Sequence, residues 1–299
     1  MNTTTPETLP AATPEVNPLE HLRDWIGRSE SRSDTLTAAP LAGLSATLDR
    51  TTDAEPAPGT VLPPLAHWLY FLPQAPQSGI GVDGHPTRGG FLPPVPLPRR
   101  MWAGGRLAFH HDLRVGDEAE RRSTVVRVDA KQGRSGSLLF VTVRHEVSDG
   151  QGVALTEEHD IVYRDNPRPG SPLPAPAMAP TDAQFSRAIV PDPVLLFRYS
   201  ALTFNGHRIH YDRTYVTEVE GYPGLIVHGP LIATLLVDLL RRQWPDARLR
   251  AFAFKAASPL FDTHPFTVCG KREADGHVSL WARNHEGQLA MHARAELAL

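Results

Sequence analysis

The second half of the chain shows one long helical pattern followed by four strand patterns. Between His228 and Arg242, apolar residues recur at 3.6-residue spacing, at positions 231, 232, 235, 236, 239 and 240. This spacing predicts a largely buried helix that ends at Trp244-Pro245. Alternation of apolar and polar residues then predicts four strands: Leu249–Ala257, Phe266–Arg272, His277–Asn284 and Gly287–Glu296.

The first half shows weaker helices and a second group of strands. Helical spacing of apolar residues predicts a short helix over Leu19–Ile26 and another over Pro40–Asp49. Residues 51–100 are too rich in Pro and Gly for regular elements, and they either cover a pocket or line the surface. The next segments predict an antiparallel meander of four strands: Leu107–Leu113, Glu120–Lys131, Leu138–Ser148 and Gly152–Arg164.

The two groups of strands resemble each other, which favours an internal duplication. Phe140–Gln151 and Val278–Gln288 share an alternating strand that runs into a Gly-Gln turn, although shared hairpin sequences without duplication would look similar. A linker rich in Pro and Ala separates the groups. We therefore predict an N-terminal domain over 1–165, with 1–18 disordered, a linker over 166–193 and a C-terminal catalytic domain over 194–299.

Composition restricts the class of protein. The chain has 299 residues, 41% of them hydrophobic, and a formal net charge of −3 without a basic cluster. These values predict a globular protein that binds a small molecule rather than nucleic acid. The single cysteine, Cys269, excludes an internal disulfide framework and fits a reducing cytoplasm. No signal peptide or membrane anchor is visible, so we expect no membrane partner.

Polar side chains cluster just before the predicted long helix. The chain reads Phe204-Asn205-Gly206-His207-Arg208-Ile209-His210-Tyr211-Asp212, and then Gly221-Tyr222-Pro223-Gly224-Leu225-Ile226-Val227-His228-Gly229-Pro230. Such side chains can hold and deprotonate a water molecule, while the free N–H groups of a helix N-terminus stabilise developing negative charge. The segment predicts a site for chemistry at a carbonyl group.

These motifs resemble those of MaoC-like (R)-specific enoyl-CoA hydratases. The hydratase motif of that family reads Gly-Asp-x-Asn-Pro-Leu-His, and here Asn205 stands where its Asp is expected, while His210 matches its His. The variant motif is similar to the subgroup of mesaconyl-C4-CoA hydratases and hydroxyacyl-thioester dehydratases. The resemblance implies an α+β double hot-dog: two antiparallel sheets, each wrapped around a central helix and joined into one continuous sheet.

The resemblance assigns roles to individual residues. His210 is the expected base and acid, Asn205 positions the water, and the N–H of Gly229 stabilises the oxyanion. Structural alternatives stay open for each polar residue: an ordinary strand-edge histidine, a turn at Asn205-Gly206, and a loop acid at Asp212. Four further candidates would bind substrate: His228, Arg208, Tyr211 and Lys255. Two more, Asp212 and His207, would support the catalytic residues. His228 has the alternative of merely capping or packing beside the helix.

A metal site and a serine nucleophile are less favoured. His207, His210, Asp212 and His228 are potential ligands, but their spacing fits no standard helical signature, so we expect no metal. The chain has no Gly-x-Ser-x-Gly motif.

The sequence thus predicts a hydro-lyase, with a hot-dog thioesterase or a non-catalytic acyl-CoA-binding protein as alternatives. Its substrate would be a short branched or dicarboxylic enoyl-CoA such as mesaconyl-C4-CoA or itaconyl-CoA. No cofactor is expected beyond the CoA of the substrate, and a homodimer is possible. A dicarboxylic substrate needs a cation, for which the sequence leaves five arginines open: Arg88, Arg99, Arg100, Arg208 and Arg213.

Overall fold

A computed structural model describes residues 19–51, 54–133, 136–165 and 176–298. Within them, ten strands form one antiparallel sheet in the order β1-β3-β4-β5-β2-β7-β10-β9-β8-β6. The strands are β1 (Ser29–Thr35), β2 (Arg99–Phe109), β3 (Glu118–Gly133), β4 (Gly136–Asp149), β5 (Gly152–Arg164), β6 (Phe185–Ile189), β7 (Leu249–Ala256), β8 (Phe266–Arg272), β9 (Val278–Arg283) and β10 (Leu289–Leu297).

The two halves of this sheet repeat one topology. Read from its outer edge, the first half runs β1-β3-β4-β5-β2 and the second runs β6-β8-β9-β10-β7, so equivalent strands occupy equivalent places. Antiparallel pairing of β2 with β7, over Gly104–Ala108, joins the halves into a continuous sheet. The α+β double hot-dog predicted from the sequence is confirmed.

The helices also correspond, with one difference. A ten-residue helix follows the first strand of each half: α1 (Ala38–Thr47) after β1 and α2 (Pro193–Leu202) after β6. The second half continues into α3 (Gly229–Gln243), in which every residue from Leu231 to Leu240 is buried. This helix is the one around which the second half of the sheet wraps.

In the first half, a short turn occupies the place of α3. Val227, just before α3, donates its N–H to the carbonyl oxygen of Leu260 at 2.9 Å, and Leu62 donates to Leu113 at 2.8 Å in the same way. After Leu62 the chain forms only the 3₁₀ turn Ala66–Leu69, and it then runs through largely irregular structure to β2. The sequence was therefore right about the irregular region, and the first half has no long central helix in its described residues.

Several predicted boundaries change. The helix predicted over Leu19–Ile26 is a 3₁₀ helix over Glu20–Trp25. Strand β1 was missed because its sequence, Ser29-Glu30-Ser31-Arg32-Ser33-Asp34-Thr35, is polar throughout. Strand β6 falls within the predicted linker, so the second half of the sheet begins before residue 194. The predicted disorder of 1–18 and the linker residues 166–175 lie outside the described residues.

A buried carboxylate connects elements of both halves. Asp238 of α3 is 2% exposed and accepts hydrogen bonds from three guanidinium groups, those of Arg50, Arg187 and Arg242, at 2.7 to 2.9 Å. Arg242 also donates to the carbonyl oxygen of Leu48, at the end of α1. Burying a carboxylate is unfavourable unless it is paired in this way.

None of the helices in the part of the chain that the structure describes is both long and apolar enough to cross a membrane.

Candidate active site

The loop between α2 and α3 positions the predicted catalytic residues. His210 ends the 3₁₀ turn Arg208–His210, and the neighbouring Ile209 accepts a backbone hydrogen bond from Ile226 at 3.0 Å. Ile226 in turn pairs with Phe261, shortly after the end of β7. The turn that carries His210 is thus fixed against the segment that leads into α3.

The imidazole of His210 has a defined tautomer. Its Nδ1 lies 2.8 Å from the carbonyl oxygen of Ile226, and because a carbonyl can only accept, Nδ1 carries the proton. Nε2 is then left with a lone pair. Burial lowers the pKa of His210 to about 4, so the ring is neutral near neutral pH. This is the state that a general base requires.

His228 stacks on His210 and is fully buried. The two ring centroids are 3.7 Å apart with an interplanar angle of 18°. Nε2 of His228 is 2.8 Å from the hydroxyl oxygen of Ser200 on α2, and Nδ1 has no hydrogen-bond partner among the described residues. Burial holds the pKa of His228 well below its usual value. His228 therefore packs beside the helix start, as one sequence alternative had it, and supports the ring of His210.

Asn205 forms a turn, and Gly229 opens onto free space. The Oδ1 atom of Asn205 accepts a hydrogen bond from the N–H of His207 at 3.0 Å, which leaves the NH₂ group of the side chain to contact other molecules. Gly229 is the first residue of α3. A Cβ atom placed on it would meet only the carbonyl oxygen of Trp102, at 4.0 Å. The start of α3 thus faces an open space bounded by β2 of the first half.

A loop of the first half reaches this site, which sequence reasoning missed. The ring centroids of His85 and His207 are 4.0 Å apart, and those of His207 and His210 are 5.4 Å apart. Asp83 accepts from the backbone N–H of His85 at 3.0 Å and lies 3.1 Å from its Nδ1. Burial lowers the pKa of both His85 and His207. Four neutral imidazoles therefore form a row from His228 to His85.

Ligand atoms of Asp83, His85 and His207 all lie within 4.8 Å of one another, the spacing of a potential metal site. This trio differs from the four residues weighed from the sequence, because only His207 is common to both sets. Its two new members come from the Pro- and Gly-rich region, where no periodicity marks them. The Asp-Gly-His sequence at 83–85 was the one available signal.

Three other predicted residues contact each other or nearby backbone instead of His210. The carboxylate of Asp212 accepts two hydrogen bonds from the guanidinium of Arg208, at 3.0 and 2.8 Å, and one from the backbone N–H of Tyr215. The expectation that Asp212 supports His210 is corrected, since the Ile226 carbonyl takes that place. The hydroxyl of Tyr211 donates to the carbonyl oxygen of Gly206, and the side chain is 44% exposed.

Lys255 lies apart from the site. Its side chain is exposed on β7, whereas its neighbour Phe254 packs into the core. Successive side chains of a strand point to opposite faces, so Lys255 lies on the face of the sheet away from α3. The assignment of Lys255 as a substrate-binding residue is therefore not supported by its position.

Aromatic and charged residues of the first half form a cluster around Trp102, whose carbonyl oxygen lies nearest to the start of α3. The ring of Trp102 stacks on His159 with centroids 3.7 Å apart, and Trp68 lies 5.0 Å from Trp102. The indole N–H of Trp68 donates to Glu157, which is 2% exposed and lies 2.9 Å from Nε2 of His67. Burial alone would raise the pKa of Glu157, but the hydrogen bond with His67 holds it below the usual range.

A double hot-dog fold with a fixed neutral histidine beside the start of the central helix is consistent with a hydratase or dehydratase of acyl thioesters, and the family and its relatives establish that class. The chain belongs to the family described as hydroxyacyl-thioester dehydratase type 2, which matches residues 65–262. It is 48% identical to mesaconyl-C(4)-CoA hydratase of Chloroflexus aurantiacus, over 91% of this chain and 96% of that protein. It is 30% identical to the mitochondrial hydroxyacyl-thioester dehydratase type 2 of Schizosaccharomyces pombe, over 79% and 88% of the two chains.

Solved structures agree on the fold. A MaoC-like dehydratase from Phytophthora capsici covers 95% of this chain and 99% of its own with a TM-score of 0.66 at 17% identity. HtdX of Mycobacterium tuberculosis covers 91% of this chain and 100% of its own with a TM-score of 0.62, also at 17% identity. The predicted class of enzyme, an acyl-CoA hydro-lyase, is confirmed by the family and by the relative at 48% identity.

Proposed function

We propose that this enzyme adds water reversibly across the α,β double bond of a short, branched dicarboxylic enoyl-CoA such as mesaconyl-C4-CoA. The observation that carries the chemistry is the neutral imidazole of His210, fixed by Ile226 and placed near the start of α3. The mesaconyl-C(4)-CoA hydratase at 48% identity supports the substrate class. The reaction needs no cofactor, because CoA is part of the substrate.

His210 performs both proton transfers. Its Nε2 accepts a proton from water as the water oxygen forms a bond to the β-carbon of the substrate. The electron pair of the double bond moves toward the thioester, whose oxygen becomes negative. The imidazolium then returns its proton to the α-carbon, which restores the thioester and the neutral ring. One histidine can serve as base and then as acid, since the two steps occur in succession.

Gly229 and Asn205 complete the site. The N–H of Gly229 at the first position of α3 donates to the negative thioester oxygen, and the helix dipole adds to this effect. Loss of one such donor typically costs about 3 kcal/mol of transition-state stabilisation. The Oδ1 atom of Asn205 already accepts a hydrogen bond from the N–H of His207. The NH₂ group of the same side chain therefore orients the water, by donating to the water oxygen. Asn205 cannot accept a proton, so proton transfer rests with His210.

The first half supplies walls and a loop but no second set of catalytic residues. The space that a central helix would fill in that half is left to the 3₁₀ turn Ala66–Leu69 and to irregular chain. We propose that this replacement leaves room for a branched acyl group. We further propose a homodimer in a reducing compartment such as the cytoplasm, and size-exclusion chromatography with light scattering tests the assembly.

An assay with mesaconyl-C4-CoA tests the function. The absorbance of the conjugated enoyl thioester and the release of free thiol are followed together. A hydratase removes the absorbance without releasing thiol, a thioesterase releases thiol, and a binding protein changes neither signal. His264→Ala, a change at an exposed loop position, serves as the matched control for His210→Ala. Thiol release at the same rate as the loss of absorbance would refute the proposed hydration.

A further inference from the structure

Four of the five arginines considered for a substrate carboxylate are each held by a carboxylate or by two or more other oxygen atoms of the protein. Arg208 pairs with Asp212 at 2.8 Å, and Arg213 pairs with Asp262. Arg99 donates to the hydroxyl of Tyr222 at 2.7 Å and to the carbonyl oxygen of Glu220. Arg88 donates to three backbone carbonyl oxygens, those of Val95, Leu97 and Pro98. Each of these guanidinium groups is engaged in holding the protein together.

Arg100 is different. It lies half-buried on β2, directly opposite Tyr163 of β5, and two residues before Trp102 on the same face of the strand. Its guanidinium forms a hydrogen bond with the neutral side chain of Tyr163. That face is the one on which Trp102 stacks on His159 and borders the open space at Gly229. No carboxylate in the described ranges forms an ion pair with Arg100. A half-buried guanidinium without a counter-ion is costly unless a ligand provides one.

The neighbours of Arg100 are neutral. Burial lowers the pKa of His159 to about 3 and also lowers those of His85 and His207, and in all three the positive charge of Arg100 acts in the same direction. These imidazoles therefore carry no positive charge near neutral pH. Permanent positive charge at this end of the row of histidines comes from Arg100 and Arg88, whose guanidinium groups are always protonated. Arg88 donates to three backbone carbonyl oxygens, whereas Arg100 hydrogen-bonds to Tyr163 and has no carboxylate partner in the described ranges.

We propose that Arg100 binds the free carboxylate of the acyl group and thereby selects dicarboxylic over neutral enoyl-CoA substrates. The planar guanidinium can bind a carboxylate with two parallel hydrogen bonds, which an amide or imidazole cannot. Arg100 is a substrate-binding residue in this assignment, while His210 performs the chemistry. The inference rests on the proposed function, since it names how one end of the same substrate is recognised.

The same surroundings disfavour a divalent cation at Asp83, His85 and His207. A guanidinium close to two of the three ligands repels a cation, and the carboxylate of Asp83 is occupied by His85. Although burial alone would raise the pKa of Asp83, its hydrogen bonds with His85 keep it ionised. Asp83 thus orients His85 and leaves the charge of Arg100 available to a ligand.

A binding experiment tests Arg100 independently of catalysis. Two saturated acyl-CoAs that differ only in a carboxylate replaced by a methyl group, methylsuccinyl-C4-CoA and isovaleryl-CoA, are titrated into the protein by calorimetry. Arg100→Gln should weaken binding of methylsuccinyl-C4-CoA by at least ~30-fold and that of isovaleryl-CoA by less than ~3-fold. Arg100→Lys should retain part of the preference. Arg106→Gln, on the outer face of the same strand and paired there with Glu158 and Asp160, should leave both affinities unchanged.

The outcomes separate this inference from the proposed function. Equal losses for both ligands would show that Arg100 contacts the CoA portion and would overturn the assignment, as would no loss for either ligand. Circular dichroism checks that Arg100→Gln is folded, and the affinity for isovaleryl-CoA provides the same check within the titration. If the wild-type protein hydrates neither mesaconyl-C4-CoA nor 3-methylcrotonyl-CoA, the proposed function fails, while the binding difference still decides the role of Arg100.

Discussion

The backbone N–H of Arg208 donates a hydrogen bond to the carbonyl oxygen of Asp83 at 2.9 Å. The turn that carries His210 is therefore held in part by a loop of the opposite half of the molecule. The two loops also meet at Gly84 and Gly206, where a Cβ atom on Gly84 would lie only 1.8 Å from the carbonyl oxygen of Gly206. The turn that carries His210 thus depends on a loop of the first half for its position.

Gly84→Ala should displace this loop and lower activity. Gly84 has a φ of +88°, and the added Cβ cannot be placed without moving the backbone of the catalytic turn. We expect kcat/KM to fall by at least ~100-fold, the loss typical of a small displacement of catalytic groups. Gly59→Ala is the matched control, because Gly59 has a φ of +86° with nothing within 4 Å. Equal kcat/KM in the two variants would contradict the role given to the loop.

His210→Ala should abolish most of the hydration rate. General acid–base groups contribute about 10²–10⁴-fold, so we expect kcat to fall by at least ~100-fold while the melting temperature and acyl-CoA affinity remain close to wild type. The control is His264→Ala. A rate near that of the wild type would remove His210 from the mechanism.

Asn205→Asp should change the pH profile more than the rate. A carboxylate near His210 favours the imidazolium and therefore raises the pKa of about 4 that burial gives His210. We expect activity equal to or lower than that of the wild type, with the acid limb of the kcat/KM profile displaced to higher pH. A large gain in rate would instead show that the wild-type site is a weakened Asp/His pair.

The neutral histidines whose pKa is lowered predict a loss of stability in acid. Burial lowers the pKa of His210 and His145 to about 4 and that of His159 to about 3, below the value of about 6.5 in an unfolded chain. As the pH falls below about 6.5, the unfolded chain binds protons first, so the free energy of unfolding decreases toward the folded pKa values. The stability contributed by these neutral rings is fully present above about pH 6.5.

Denaturant unfolding at a series of pH values measures this effect. The midpoint should fall between about pH 7 and pH 5, and His145→Gln should reduce the slope because one proton fewer is taken up on unfolding. A change at exposed His264 is the control. A midpoint that is constant over this range would refute the prediction.

The sequence predicted the elements with strong periodicity and the residues that a local motif marks. The predicted ends of the long helix and of strand β8 agree with the structure to within one residue. Both were predictable because apolar residues recur with a period of 3.6 in a helix and of 2 in a strand. His210 and His228 lie within one short segment, and their rings stack on each other in the structure. That segment is local in sequence, so its motif could be read without the fold.

The features that the sequence could not show depend on contacts between distant segments. His85 and Asp83 lie in an irregular region where no period distinguishes a functional loop from a surface one. Arg100 could not be chosen among five arginines, since only the structure shows which guanidinium groups are held by carboxylates or by several backbone oxygens. The substrate-binding role given to Lys255 does not fit its position, because the face on which a strand residue lies depends on the register of pairing. The supporting role given to Asp212 does not fit either, because a carboxylate near a histidine in sequence need not face that histidine.

The three arginines around Asp238 bear on how the molecule unfolds. Arg50 follows α1 of the first half, whereas Arg187 and Arg242 belong to the second, and a single buried carboxylate in α3 binds all three. Neither half can loosen alone without leaving a charge uncompensated in the interior, which costs about 3–5 kcal/mol when one partner of such a buried group is removed. The duplicated halves, although each has its own set of strands, should therefore melt in one cooperative calorimetric transition rather than two.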